Sequence, residues 1–331
     1  MFPYLRAAQF DPHIVFEPVH NTEVPDVSGL GVRLKGQGFR IVFFQKVYGD
    51  SVLALVRELH ADGVRTVFGV CDVVEPSMVA ATDVTITVTD YLKSLHPVHL
   101  HPRITTVHDG IERPELSKKD WGLNRGSRAH PLRAVLVTSM HLDHLPVIFN
   151  PPPWLHVTIV GRYARANMLR QRIREFRWEL ATQAGWRAKG RYLRFILNPR
   201  IQRKAWDSEG VYDAMLQADI GIIPIDKSSG QGEAEGWQVK SENRLTLKMA
   251  VGLPVVASPI PSYGPVVDQG KNAFLANDRA EWLSRLTALR DPNFRRAMGE
   301  EARLAALKGY SMALQAEKMV KVLRSLIGES R

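Results

Sequence analysis

Residues 239–258 read VKSENRLTLKMAVGLPVVAS, and two cations, Lys240 and Arg244, bracket Ser241, Glu242 and Asn243. This polar knot runs directly into a helical pattern carried by Leu245, Met249 and Ala250. A helix N-terminus exposes unpaired N–H groups and a partial positive charge. Cations are unfavourable at such an end unless an anion binds there, and a phosphate or pyrophosphate would resolve the conflict. Ser241 stands where an N-cap hydroxyl could accept from a first-turn N–H. The knot is therefore either a solvated cap, with Arg244 paired to Glu242 or Asp268, or a place where phosphate docks.

The elements that must position such a site alternate along the chain. Strand patterns cover 40–45, which reads as buried, 64–72 and 84–90, and 103–114 is a strand leading into an exposed connection, with helices at 51–63, at PSMVAATD (76–83) and at YLKSLH (91–96). Strands are predicted again at 133–139, 155–161, 192–198, 218–225 and 253–258, with helices near 167–184, 208–217 and 243–251. The last third is helical. This order is that of α/β folds with parallel sheets and right-handed crossovers. Ligands in such sheets bind beyond the carboxyl ends of the strands. The candidates are then Gln45 and Lys46, Asp72, Thr89 and Asp90, Thr138 and Ser139, Gly161 and Arg162, Asp226, and Ser258. The plain alternative is that each only makes a turn; Asp72 in particular would also suit a cap on the following helix.

Length and composition bound the answer. A chain of 331 residues, 45% hydrophobic and 24% charged, suits two globular domains. The polar, Pro- and Gly-broken stretch ERPELSKKDWGLNRGSRAHP (112–131) reads as their junction. The domains expected are 1–112, a linker 113–131, and 132–310, with a final helix 311–331 packing back toward the first. The single cysteine, Cys71, forbids an intrachain disulfide and suits a reducing compartment. The first residues carry no secretory pattern, and no apolar run reaches membrane-spanning length. Gly29, Gly31, Gly36 and Gly38 mark turns in a region without periodicity. In HLDH, His141 and His144 stand three apart, but a histidine pair alone on a loop is a weak metal signal, so no metal is expected.

The net charge is +10, but residues 162–204 hold thirteen Lys and Arg against Glu175 and Glu179. The rest of the chain is nearly neutral. Within ANMLRQRIREFRWELATQAGW, Leu169, Ile173, Phe176 and Leu180 share one helical face, and Arg170, Arg174 and Arg177 another. A basic amphipathic segment of this kind is an outer helix packed on the sheet, or faces a phosphate-rich partner such as an anionic membrane or nucleic acid.

The segment KSENRLTLKMAVGLPVVASPIPSYGPVVDQGKNAFLAND resembles the nucleotide-binding core of GT-B glycosyltransferases, closest to family 4. Met249 to Ala257 match its Met-Ala-x-Gly-x-Pro-Val-Val-Ala run. Asp268, Gly270 and Asn272 match the turn that follows, with Ala273 in place of a Gly. VYDAMLQADIGIIPID upstream, EWLSRLTALRDPNFRRAMGEEAR downstream, and DVTITVTDYLKSLH and ITTVHDGIERP in the first half extend the likeness across about residues 40–325. Two departures stand out. The family's donor loop carries two Glu, and here those positions are Val239 and Leu247. The VTSMHLDHLP stretch (137–146) also lacks the Arg and Lys that often grip the pyrophosphate.

The resemblance implies a GT-B fold: two Rossmann-like domains about a cleft, the first one reduced. It implies a glycosyltransferase using a nucleotide-diphosphate sugar and a saccharide or other hydroxyl acceptor. A retaining, metal-independent transfer without cofactor is expected. Ser139, Gly161, Arg162, Asp226, Lys240, Ser241, Glu242, Asn243 and Arg244 fall to the donor. Gln45, Lys46 and Asp90 fall to the acceptor side, with Glu17 a weaker candidate. Asp72, Lys240 and Arg244 are the catalytic candidates: the cations to stabilise the leaving phosphate, Asp72 to meet the acceptor. A cytoplasmic protein is expected, peripheral on the inner membrane face through 162–204. Two other readings stay open: a GT-B enzyme modifying nucleic-acid bases, which the charge would suit, and a degenerate binding subunit, which the missing carboxylates would suit.

Overall fold

The computed structural model describes every residue except 21, 139–144, 146, 149, 165–167, 227–235 and 329–331. The chain divides into two compact units. The first comprises Met1–Glu112, Gly232–Glu242 and Tyr310–Arg331; the second comprises Arg113–Gln231 and Asn243–Gly309.

The first unit opens with short helices α1 (Phe2–Ala7) and α2 (Leu30–Leu34). It then alternates β1 (Ile41–Gln45), α3 (Asp50–Ala61), β2 (Arg65–Val70), α4 (Pro76–Ala81), β3 (Val84–Thr87), α5 (Asp90–Ser94), a 3-10 turn (Val98–Arg103) and β4 (Ile104–Thr106). The four strands are parallel and lie in sequence order, β1-β2-β3-β4. Central β2 is buried from Thr66 to Val70, which is why its apolar run is continuous rather than alternating. Leu30 and Leu34 place α2 over the core of this unit, in the Gly-rich region whose glycines suit tight turns or a loop under an acceptor. Two widely spaced leucines among glycines are too weak a period to read.

The second unit holds a six-stranded parallel sheet in the order β10-β9-β8-β5-β6-β7. Its elements are β5 (Leu132–Val137), β6 (Leu155–Gly161), α6 (Leu169–Thr182), α7 (Gly185–Leu197), β7 (Ile201–Ala205), α8 (Gly210–Gln217), β8 (Ile220–Ile223), α9 (Asn243–Ala250), β9 (Val255–Ala257), β10 (Ala273–Leu275), α10 (Arg279–Ala288) and α11 (Pro292–Tyr310). The predicted strand 192–198 is corrected: those residues end helix α7, and the strand follows at β7. The aromatic and β-branched run YLRFILN imitates a strand. In the structure, however, Tyr192 and Phe195 fall three apart on one buried helical face. β7 leaves little strand signal in the sequence because it is a sheet edge and carries Gln202, Arg203 and Lys204.

The polar segment 113–131 packs into the second unit through an ionic cluster. Asp219, fully buried, accepts from Arg125 Nη1 at 2.8 Å and from the Arg133 backbone N–H at 2.8 Å, with Lys118 Nζ at 3.8 Å. Burial lowers the Lys118 pKa to about 8 despite the Asp219 charge. The final helix α12 (Met312–Leu326) belongs to the first unit, where Met319 and Leu323 close a core cluster with Leu5, Val67, Ile86 and Val107.

Candidate functional site

In the first unit, polar side chains converge past the carboxyl ends of β1, β2 and β4. Lys46 follows β1 directly and holds a left-handed backbone, φ 57°, rare for a residue with a side chain. Its Nζ lies 2.7 Å from Asp72 Oδ1 and 2.8 Å from Glu23 Oε1. Lys240 Nζ approaches the other Asp72 oxygen at 3.4 Å. Beside them the Cys71 thiol donates to Asp72 Oδ1 at 3.4 Å. Burial raises the Asp72 pKa, but the Lys46 and Cys71 hydrogen bonds and the charges of Lys46 and Lys240 outweigh it and hold the carboxyl below its usual range. Burial and the neighbouring Asp72 charge push the Cys71 thiol up to about 11, so it stays protonated near neutrality.

Next to this group, Ser241 Oγ donates to Asp109 Oδ2 at 2.8 Å. The reading of Ser241 as an N-cap is corrected: α9 begins at Asn243, so the cap position is Glu242, and the Ser241 hydroxyl is turned to Asp109. Glu242 is 2% exposed, and its Oε1 lies 2.7 Å from His108 Nδ1. That nitrogen is also 3.0 Å from the Val88 carbonyl oxygen, and Glu242 Oε1 has no well-directed hydrogen-bond donor among the described residues. The contact is thus an ion pair more than a hydrogen bond. Burial lowers the His108 pKa, yet Glu242 outweighs it and the net shift is upward. The Tyr310 ring meets His108 edge-on at 5.1 Å.

Gln45 ends β1 and is exposed; it pairs with Gly69, where a side chain would run into the Phe43 ring. Asp90 opens α5 and accepts from Thr106 Oγ1 at 2.6 Å. The cluster therefore gathers Asp72, Lys46, Lys240, Ser241 and Glu242 from the sequence candidates. It adds Glu23, His108 and Asp109, which are not among the sequence candidates. His108 and Asp109 follow β4 just as Asp72 follows β2, so the strand-end rule applied to β4 would have found them. Nothing in the local pattern marks Glu23.

The second unit has its own candidate position. Its strand order reverses between β5 and β8, and in parallel sheets that switch point opens a crevice at the strand carboxyl ends. Thr138 leaves β5 there, and Asp226 lies three residues past β8. Ser258, after β9, is buried; its Oγ accepts from the Ile225 N–H at 3.0 Å and so shapes the β8 exit. At the end of β6, a side chain on Gly161 would collide with the Thr138 carbonyl, so the neighbouring chain ends approach closely because this residue is glycine. Arg162 is exposed just beyond. Ser139, with His141 and His144, lies outside the described residues.

Asn243 and Arg244 form the first turn of α9, so the knot divides between the two units: Lys240, Ser241 and Glu242 in the first, Asn243 and Arg244 in the second. One turn on, Lys248 is almost fully buried and donates to the Arg244 carbonyl at 3.2 Å. Burial, reinforced by the Arg244 charge, lowers its pKa to about 7. Downstream, Asn272 bonds Asp268 N–H at 2.8 Å and the Val266 carbonyl at 3.0 Å, which makes that turn a backbone clamp. Among the described residues no group of three or more His, Cys, Asp or Glu could hold a metal ion. No helix among them is long and apolar enough to cross a membrane.

Among solved structures, a glycosyltransferase from Rickettsia africae matches with a TM-score of 0.65 and 12% identity, covering 91% of this chain and 80% of its own. HepE from Anabaena, in complex with UDP and glucose, matches with a TM-score of 0.62 and 12% identity, covering 89% and 81%. A sucrose-phosphate synthase from Thermosynechococcus elongatus matches with a TM-score of 0.58 and 14% identity, covering 91% and 77%. The fold is α/β of the GT-B type, with parallel sheets of four and six strands. No family model and no curated protein matches the chain.

Proposed function

We propose that this chain is a glycosyltransferase that moves a sugar from a nucleotide-diphosphate sugar to a hydroxyl of a saccharide or similar acceptor. The observation that carries this is the switch point of the second unit, with α9 and Arg244 in the same unit, in a fold whose relative HepE holds UDP and glucose. Asn243, Arg244, the free N–H groups of α9 and Arg162 receive the pyrophosphate and stabilise charge as it leaves. Asp226 and the residues after β5, Ser139 among them, complete the donor side.

On the acceptor side stand Asp72, Lys46, Lys240, Gln45 and Asp90. Asp72, held by two lysines below the usual carboxylate range, is a weak base at neutral pH. Its role is to fix the two ammonium groups. That suits a retaining reaction, in which the departing phosphate assists loss of the acceptor proton, and needs no metal. The same locked carboxylate, with Val239 in the first unit's core where the family has a Glu, favours a second reading as a binding subunit without turnover.

A thermal-shift series with uridine, guanosine and adenosine diphosphates, followed by a donor-hydrolysis screen, tests this. One nucleotide is expected to raise the melting temperature, and its sugar conjugate to be hydrolysed. No shift with any nucleotide would overturn both readings; a shift without hydrolysis or transfer would leave the binding subunit. Arg244→Ala should weaken nucleotide binding about tenfold, the loss of one charged phosphate contact. Lys240→Ala, which acts beside Asp72, should lower turnover and leave nucleotide affinity unchanged.

A further inference from the structure

We propose that helix α7 docks this protein on an anionic phospholipid surface through an apolar stripe of Trp186, Leu193 and Leu197. The three lie at spacings of seven and four, within about 40° of one another on the helical wheel and about 16 Å from end to end. They face outward: Trp186 is 91% exposed, Leu197 76% and Leu193 36%. The opposite face of α7 already fills the sheet core with Tyr192 and Phe195, so the stripe is spare. Cations border it on both sides, Arg187 and Arg194 on one and Lys189 on the other. The Lys189 ammonium sits 5.8 Å over the Trp186 ring.

The preceding helix extends the same character. α6 has no buried residue; Arg170, Arg174 and Arg177 point outward between Ile173, 50% exposed, and Trp178, 62% exposed. Across α6 and α7 there are eight Lys and Arg against two carboxylates. One of these, Glu175, is taken by Gln171 and the Ala164 N–H.

Charge and apolarity together choose the occupant. An anionic bilayer offers phosphates at the depth of the guanidinium groups and hydrocarbon beneath them for leucine and indole. Nucleic acid would satisfy the cations but give two leucines nothing to enter.

Co-sedimentation of the full chain with vesicles tests it. Binding is expected to phosphatidylcholine vesicles carrying about one-third phosphatidylglycerol, and not to phosphatidylcholine alone, at about 0.1 M salt. The tryptophan emission of the full chain should shift to the blue on binding, and that shift should shrink when Trp186 is replaced. A Trp186→Ser, Leu197→Ser double variant should bind about tenfold more weakly, and Arg187→Gln, Arg194→Gln similarly. All four positions are exposed, so melting temperature and nucleotide binding should be unchanged. No pelleting with anionic vesicles, a double variant that pellets like the parent, or preferential binding of DNA or RNA over vesicles would each overturn the proposal.

Discussion

A buried and a half-buried histidine of the first unit, His96 and His108, titrate in opposite directions, and each direction follows from what surrounds the ring. Neither nitrogen of His96 finds a partner among the described residues; burial, then the nearby His101, lowers its pKa. The unfolded chain takes up a proton near the ordinary value of 6.5 while the folded chain resists it, so stability falls with acid below about 6.5. His108 is the reverse. Its raised pKa, set by Glu242 against burial, contributes stability in full below about 6.5, and that share is lost as pH rises through the folded value. His96→Leu should therefore flatten the loss of stability between about pH 7 and 5, measured by chemical denaturation at each pH. Superimposable acid limbs for parent and variant would remove this account.

At the scale of elements, α9 is the informative helix. Lys248 buries an ammonium with only a backbone carbonyl as hydrogen-bond partner among the described residues. Its pKa of about 7 lies below the ordinary 10.5, so the unfolded chain binds more protons across that interval and the fold gains stability as pH rises through it. Lys248→Met keeps the length of the side chain and removes the charge. It should be at least as stable as the parent at pH 7 and should lose the gain toward pH 10, read from urea midpoints. The helix itself was legible, because Leu245, Met249 and Ala250 form a clear period before a Gly-Leu-Pro stop. So were the strands β2, β6 and β9, whose β-branched runs end in turn residues. β7 and α7 were not: an edge strand needs few apolar residues, and a helix buried on one face with a second apolar stripe on the other mimics a strand. The candidate residues divide the same way. Asp72 and Lys46 follow from strand ends, whereas Glu23 joins them only through folding from a stretch without pattern. The partnership of Glu242 with His108, across more than a hundred residues, has no trace in local sequence.

At the scale of the whole molecule, the first unit depends on the end of the chain. Met319 and Leu323 on α12 close a core whose other walls come from α1, β2, β3 and the residue after β4. Met319→Ala or Leu323→Ala should cost about 2–5 kcal/mol in the unfolding of that unit. A nucleotide bound to the second unit should raise that unit's transition selectively. Differential scanning calorimetry with and without nucleotide separates the two; a single transition shifted equally by both perturbations would contradict it. The chain changes unit four times: after Glu112, after Gln231, between Glu242 and Asn243, and after Gly309. Recombination between homologous genes usually exchanges one contiguous block at one crossover. Here a single crossover at residue 112 would import Lys240, Ser241 and α12 from the foreign parent, mismatching Asp72, Asp109 and the Met319 core together. An intact second unit could be exchanged only by replacing two separate segments, Arg113–Gln231 and Asn243–Gly309, at once.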